Sequence, residues 1–82
     1  MNRIENNFDK YKAKSKKYGW INSDNDLFNL EMSITMTSRY TDPTDEIKIY
    51  QYDFLNRNYE LLEIYRYDKD QKCWMCEIIK SY

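Results

Sequence analysis

Between Phe28 and Tyr40 apolar and polar side chains alternate almost without interruption. Phe28, Leu30, Met32, Ile34, Met36 and Tyr40 take one parity, and Asn29, Glu31, Ser33, Thr35, Thr37 and Arg39 take the other. Successive side chains on an extended chain point to opposite faces, so a period of two over this length predicts a half-buried strand. Its apolar row, with Met32 and Met36 filling gaps, is expected in the core and its polar row in solvent.

Other stretches follow other periods. Ile4, Phe8, Tyr11 and Tyr18 are spaced by four, three and seven, which lays one apolar stripe along a helix. Asn2 and Glu5 imitate a capping box, Lys16 and Lys17 suit a final turn, and Gly19, the only glycine, follows where a left-handed cap belongs. The predicted helix runs over residues 3–18. Asn22 to Asp26 reads as a polar connector. Thr41-Asp42-Pro43-Thr44-Asp45, with the sole proline, reads as a turn.

Three further strands are expected. In Glu46–Leu55, Ile47 and Ile49 share one parity while Tyr50, Tyr52 and Phe54 take the other, so either both faces are covered or a bulge switches the face between Ile49 and Tyr50. Tyr59–Tyr67 follows the loop Asn56-Arg57-Asn58, and Lys72–Lys80 follows Asp68-Lys69-Asp70-Gln71. The last hairpin allows two registers. Asp68 opposite Lys72 builds the better apolar layer, with Arg66 over Trp74, but sets Glu63 against Glu77; Tyr67 opposite Lys72 pairs Tyr65 with Trp74 and relieves that clash. The expected architecture is an N-terminal helix packed on a four-stranded antiparallel sheet, an αββββ meander in two layers. Residues 1–82 are expected to form one small α+β domain.

Composition narrows the chemistry. The 82 residues are 41% hydrophobic, 17% aromatic and 33% charged, with nine tyrosines and a mean hydropathy of -1.00. Large side chains must therefore supply much of the burial. Histidine is absent, which removes the commonest general base and metal ligand together, and one glycine is too few for a phosphate-cradling loop. Neither catalysis nor a cofactor is expected.

Cys73-Trp74-Met75-Cys76 has the spacing of a zinc or redox motif. On a strand its two Cα atoms would lie about 10 Å apart, with side chains on opposite faces, beyond the roughly 7 Å reach of a disulfide. Zinc would lack two ligands, so ordinary strand cysteines and no metal are expected. Carboxylates are plentiful, but no pair stands out by its surroundings.

The net charge of -1 conceals an asymmetry. Residues 1–20 hold six Lys/Arg against two acids, a net +4, and residues 21–82 hold seven against twelve, a net -5. No apolar run approaches the roughly 18 residues that span a bilayer, and the first residues carry no signal-like apolar stretch. Free thiols fit a reducing compartment. A cytoplasmic protein without membrane contact is expected, and the abundance of Asn, Lys, Ile and Tyr points to an AT-rich coding source such as a low-GC bacterium or its phage.

The tyrosines supply the remaining functional signal. One helix cannot cover both faces of a sheet that is bulky on both, so a partner, a twin subunit or solvent must meet the second face. The expected partner-binding residues are Tyr50, Tyr52, Tyr59, Tyr65, Tyr67, Arg57 and Arg66 on the strands and loops, with Lys14 and Lys17 from the basic head. Tyr, Trp and Arg dominate protein interfaces, whereas the acidic body disfavours a polyanion. The expected function is that of a non-enzymatic protein-binding inhibitor, in the setting of a phage or mobile-element anti-defence protein of the anti-CRISPR kind. The alternative is a single-stranded nucleic-acid module using the basic helix and tyrosine-rich sheet, and homodimerisation through an edge strand or the uncovered face is open.

Overall fold

A computed structural model describes residues 9–35 and 42–80. Five strands and one helix follow in the order β1 (Tyr11–Ser15), β2 (Gly19–Asp24), α1 (Leu27–Thr35), β3 (Glu46–Asp53), β4 (Asn58–Asp68) and β5 (Cys73–Ile78). The sheet is antiparallel throughout, in the spatial order β2-β1-β3-β4-β5. This is a small α+β fold, but its helix lies between β2 and β3 and its sheet has five strands rather than four. The sheet is also not a simple meander, since the chain crosses from the β2 edge past β1 to β3.

The predicted N-terminal helix is corrected first. Residues 3–8, with the capping box, lie outside the described residues, and from Tyr11 onward the chain is a hairpin. Tyr11, Ala13 and Ser15 alternate with Lys12 and Lys14, and Ala13 and Ser15 are fully buried. Helical spacing of the aromatics was coincidental. Five residues with small side chains facing inward and lysines facing outward satisfy a strand equally well.

The predicted strand over 28–40 is corrected in the opposite sense, because Leu27–Thr35 is helical; residues 36–40 lie outside the described residues. Residues two apart on a helix stand about 200° apart, so a period-two apolar row splits between opposite sides. Leu30 and Ile34 are buried, while Phe28 is 64% and Met32 38% exposed. With Leu27, the buried pair forms a stripe at intervals of three and four. Asp26 starts the helix: its Oδ1 accepts from the Phe28 amide at 3.0 Å and its carbonyl from the Leu30 amide at 3.2 Å.

The turns share one device. The Ser15 hydroxyl accepts from the amides of Lys17 and Tyr18 at 3.1 and 3.0 Å. Asp53 accepts from Leu55 and Asn56, and Asp68 from Asp70 and Gln71. Each loop then returns through a residue in the left-handed region: Gly19 at φ 83°, Arg57 at 56° and Lys72 at 56°. Gly19 thus does adopt positive φ, but to close a hairpin rather than cap a helix.

A register shift does fall between Ile49 and Tyr50, but it is not the expected switch of face on that strand. Ile49 faces Glu63 and Tyr50 faces Leu61, so the extra residue, Leu62, sits on β4. Strand β3 keeps its alternation, and Leu62 and Glu63 both turn inward. In the last hairpin neither expected register occurs: Asp68 faces Cys73, Tyr67 faces Trp74 and Tyr65 faces Cys76. The four-residue loop shifts the pairing, removes the Glu63–Glu77 clash and frees Arg66 from the indole.

The core lies between α1 and the near face of the sheet. Ala13, Leu30, Ile34, Ile47, Ile49, Leu62 and Tyr65 form it, with Tyr11, Ile21, Leu27 and Trp74 packed around them. The core residues come from β1, β3, β4 and the helix, and those packed around them add β2 and β5. Among the described residues no helix is long and apolar enough to cross a membrane.

Candidate interaction face

Alternation fixes what the far side of the sheet displays. With Tyr11, Ala13, Ile47 and Ile49 turned to the helix, Lys12, Lys14, Lys48, Tyr50 and Tyr52 turn away from it. Beyond the bulge, Leu61 and Tyr59 stand opposite Tyr50 and Tyr52 and share that open face, as does Arg66. Trp20 lies opposite Lys14 and joins them from β2.

These groups form a connected array. Trp20 meets Tyr50 edge to face with centroids 5.5 Å apart, and Tyr52 meets Tyr59 and Phe54 at 5.2 and 4.9 Å. The Lys12 ammonium stands 4.7 Å from the Tyr59 ring centre and 5.5 Å from that of Trp20, and the Lys14 ammonium lies 5.2 Å from Trp20. Cation–π contacts of this length hold lysines against rings instead of leaving them to roam. The Tyr59 hydroxyl donates to the Asp9 carbonyl at 2.7 Å, and burial raises the Tyr59 pKa.

Charge is unevenly distributed over this face. Lys14, Lys16, Glu46, Lys48 and Tyr50 line a shallow groove at the β1–β3 junction. Toward β5 the Arg66 guanidinium is held at 2.8 Å by both Glu46 and Glu77, so its charge is matched. Among the described residues of this face, the positive charge outside an ion pair is thus concentrated around Trp20.

Of the expected site residues, Tyr50, Tyr52, Tyr59, Arg66 and Lys14 come together on the open face. Tyr65 and Tyr67 do not. Tyr65 is a core residue, 4% exposed, and Tyr67 packs on Trp74 with centroids 5.7 Å apart on the helix side. Arg57 closes the β3–β4 turn, and Lys17 lies in the β1–β2 turn, paired with Asp42 at 2.9 Å. Trp20 was missed, because Gly19 was read as the end of a helix.

A second group of side chains was also missed. Glu63 is 1% exposed, and the carboxyl of Glu31 on α1 lies near it. Burial and the neighbouring Glu63 push the Glu31 carboxyl up to about 7. The Tyr65 hydroxyl lies near the Glu31 carboxyl and the Cys76 thiol. The signal in the sequence was a glutamate inside the apolar run Leu61-Leu62-Glu63-Ile64-Tyr65.

Cys73 and Cys76 are free and exposed thiols on opposite sides of β5. Among the described residues no group of three or more Cys, Asp or Glu is placed to hold a metal ion. No protein-family model, curated protein or solved structure matches this chain.

Proposed function

We propose that this chain is a non-enzymatic binding protein whose open sheet face engages another protein, and that it acts by blocking that partner. The carrying observation is Trp20, 54% exposed, set against Tyr50 and flanked by Lys12 and Lys14. A half-exposed indole held by its neighbours offers a large contact area at little ordering cost, as interface hot spots do. The lysines around it favour a partner patch that carries carboxylates beside apolar groups. A phage or mobile-element anti-defence role, anti-CRISPR-like in kind, is the proposed setting; it rests on size, composition and the missing catalytic inventory.

The position of β1 favours a second reading, a single-stranded nucleic-acid module. Lys12, Lys14 and Lys48 share a face with Tyr50, Tyr52 and Tyr59, as a stacking platform with cations would require. Ring occupancy argues for the protein reading. Ammonium groups lie over Trp20 and Tyr59 and ring edges meet Tyr50 and Tyr52, so a base would have to displace them before stacking.

The test is capture from the native host with the tagged full chain, followed by titration of the purified partner. Trp20→Ala and the double variant Lys12→Glu/Lys14→Glu should each weaken binding at least about tenfold, or ~1.4 kcal/mol, while Lys69→Glu in the distant turn should not. Quenching of Trp20 fluorescence by a thymidine oligonucleotide, lost steeply as salt rises, would instead establish the nucleic-acid reading.

A further inference from the structure

The register of β1 on β3 sets two like charges side by side. Lys14 stands directly opposite Lys48 on the open side of the sheet, and just beyond them the Lys16 amide donates to the Glu46 carbonyl at 2.9 Å. Like charges directly opposite on neighbouring strands are destabilising. Two residues along β3 the sheet does the reverse, with Glu46 opposite Arg66 and the two joined at 2.8 Å. Stability alone would favour an acid at position 14 or 48 as well.

The lysines converge on one place. Lys14, Lys16 and Lys48, with Ser15, Glu46 and Tyr50, line the groove at the β1–β3 junction, which has a volume of about 310 Å³. One wall of it is braced: the Lys14 ammonium lies 5.2 Å from the Trp20 ring centre, and Trp20 meets Tyr50 with centroids 5.5 Å apart. A ring quadrupole orients an ammonium group without cancelling its charge. Glu46 brings a carboxylate to the lining, but Arg66 engages it, so the three ammonium groups outweigh it.

Cations around a groove of this size suit a compact ligand with several negative oxygens. A phosphate monoester carries about −1.5 to −2 charges near neutral pH and three strong acceptor oxygens, whereas a carboxylate carries one charge and two oxygens. We propose that the groove is a phosphomonoester subsite: it takes the phosphate of a phosphorylated side chain on the protein partner, with Lys14, Lys16 and Lys48 donating to the phosphate oxygens and Tyr50 meeting the stem that carries it. The subsite presupposes the reading of the open face as a protein-binding surface, and it names the chemistry that surface selects. A dianion seated between Lys14 and Lys48 replaces their repulsion by attraction, so occupancy also stabilises the fold. A nucleic-acid strand fits less well, because each of its diesters carries a single charge and its bases would have to clear the ammonium group over Trp20 and Tyr59.

Titration of the isotope-labelled full chain with phenyl phosphate, at about pH 7.5 and a constant ionic strength of ~0.1 M, tests the subsite by NMR. Saturable shifts should centre on the amides of residues 14–16 and 46–50, with an affinity at least about fivefold above that for benzoate. Lys48→Gln should weaken phenyl phosphate binding at least about fivefold without lowering the urea midpoint, since it removes one of two like charges. Lys69→Gln in the distant turn should leave binding unchanged. Equal affinity for benzoate, shifts spread over lysines elsewhere, unchanged binding in Lys48→Gln, or displacement of phenyl phosphate by an equal concentration of a thymidine oligonucleotide would each overturn the subsite. The captured partner separates this result from the fate of the broader reading. Phosphatase treatment of that partner should weaken its binding at least about tenfold. Binding that survives phosphatase but is lost in Trp20→Ala would sink the subsite and leave the protein-binding face standing.

Discussion

Ser15 and Asp45, thirty residues apart, are joined by a 2.5 Å hydrogen bond from the Ser15 hydroxyl to Asp45 Oδ2, and both residues are buried. Asp45 also accepts from the amides of Glu46 at 2.8 Å and Lys17 at 3.3 Å, so one carboxylate ties the β1–β2 turn to the start of β3. Leaving such groups unpaired costs about 1–3 kcal/mol each. Asp45→Ala should therefore cost about 2–3 kcal/mol in urea unfolding and Ser15→Ala about 1–2 kcal/mol. Their double-mutant cycle should show a coupling of at least about 1 kcal/mol. Strictly additive losses would mean that the two side chains act apart.

The returning residues of the turns separate backbone strain from packing. An added Cβ at Gly19 would meet nothing within 4 Å, yet φ there is 83°. Gly19→Ala should lose about 1 kcal/mol from backbone conformation alone. Arg57 and Lys72 already bear that strain at φ 56°. Arg57→Gly and Lys72→Gly should each gain about 0.5 kcal/mol, the relief of the left-handed strain outweighing glycine's extra entropy. A loss at both positions in thermal unfolding would contradict this account.

How much could be read from the sequence depended on whether local pattern and tertiary burial agreed. Strands β3, β4 and β5 were legible because Ile47 with Ile49 and Leu62 with Ile64 are flanked by Asp and Asn turns that have one reading. The first half misled because both patterns were ambiguous. Tyr11-Lys12-Ala13-Lys14-Ser15 hides its inward face in small residues, and the alternation over 28–34 places half of its apolar row in solvent on a helix. Of the candidate face, Tyr50, Tyr52 and Tyr59 were legible, but Lys14 was placed on a helix and Trp20 passed over. Tyr65 and Tyr67 were assigned to the wrong side because the bulge at Leu62 reverses the facing of β4, and its effect depends on which strand carries the extra residue. The Glu31–Glu63 pair was out of reach, since it joins two elements whose packing no local pattern gives.

The two classes of aromatic should respond differently to truncation. Tyr65→Ala empties a core site and should cost about 3–5 kcal/mol, enough to threaten folding in a chain this small. Trp20→Ala removes a half-exposed ring and should cost less than about 1 kcal/mol. Tyr59→Phe keeps its ring under Lys12 but loses the bond to the Asp9 carbonyl, and should cost about 1 kcal/mol. Urea midpoints with unchanged slopes would check all three. Equal losses for Trp20→Ala and Tyr65→Ala would mean that the open face is a folding surface rather than a binding one.

Strong acid should loosen the turn around Asp42. Hydrogen bonds from the Thr44 hydroxyl and amide, and then from Lys17, hold the Asp42 carboxyl at about 2, below its ordinary 3.8. A carboxyl depressed in the folded state contributes stability that is present above the unfolded value and is lost as pH falls through the folded one. The wild type should thus lose stability between pH 3.8 and about 2 through this group, and Asp42→Asn should not. Because Thr44 is the larger cause, Lys17→Ala should return the Asp42 titration only partway toward 3.8, while Thr44→Val should move it further. The Lys17 share should also fade with added salt, since this pair faces solvent. Carboxyl carbon shifts followed by NMR read the midpoint directly; an Asp42 midpoint at 3.8 in the wild type would show that the Lys17–Asp42–Thr44 contact is not maintained in solution.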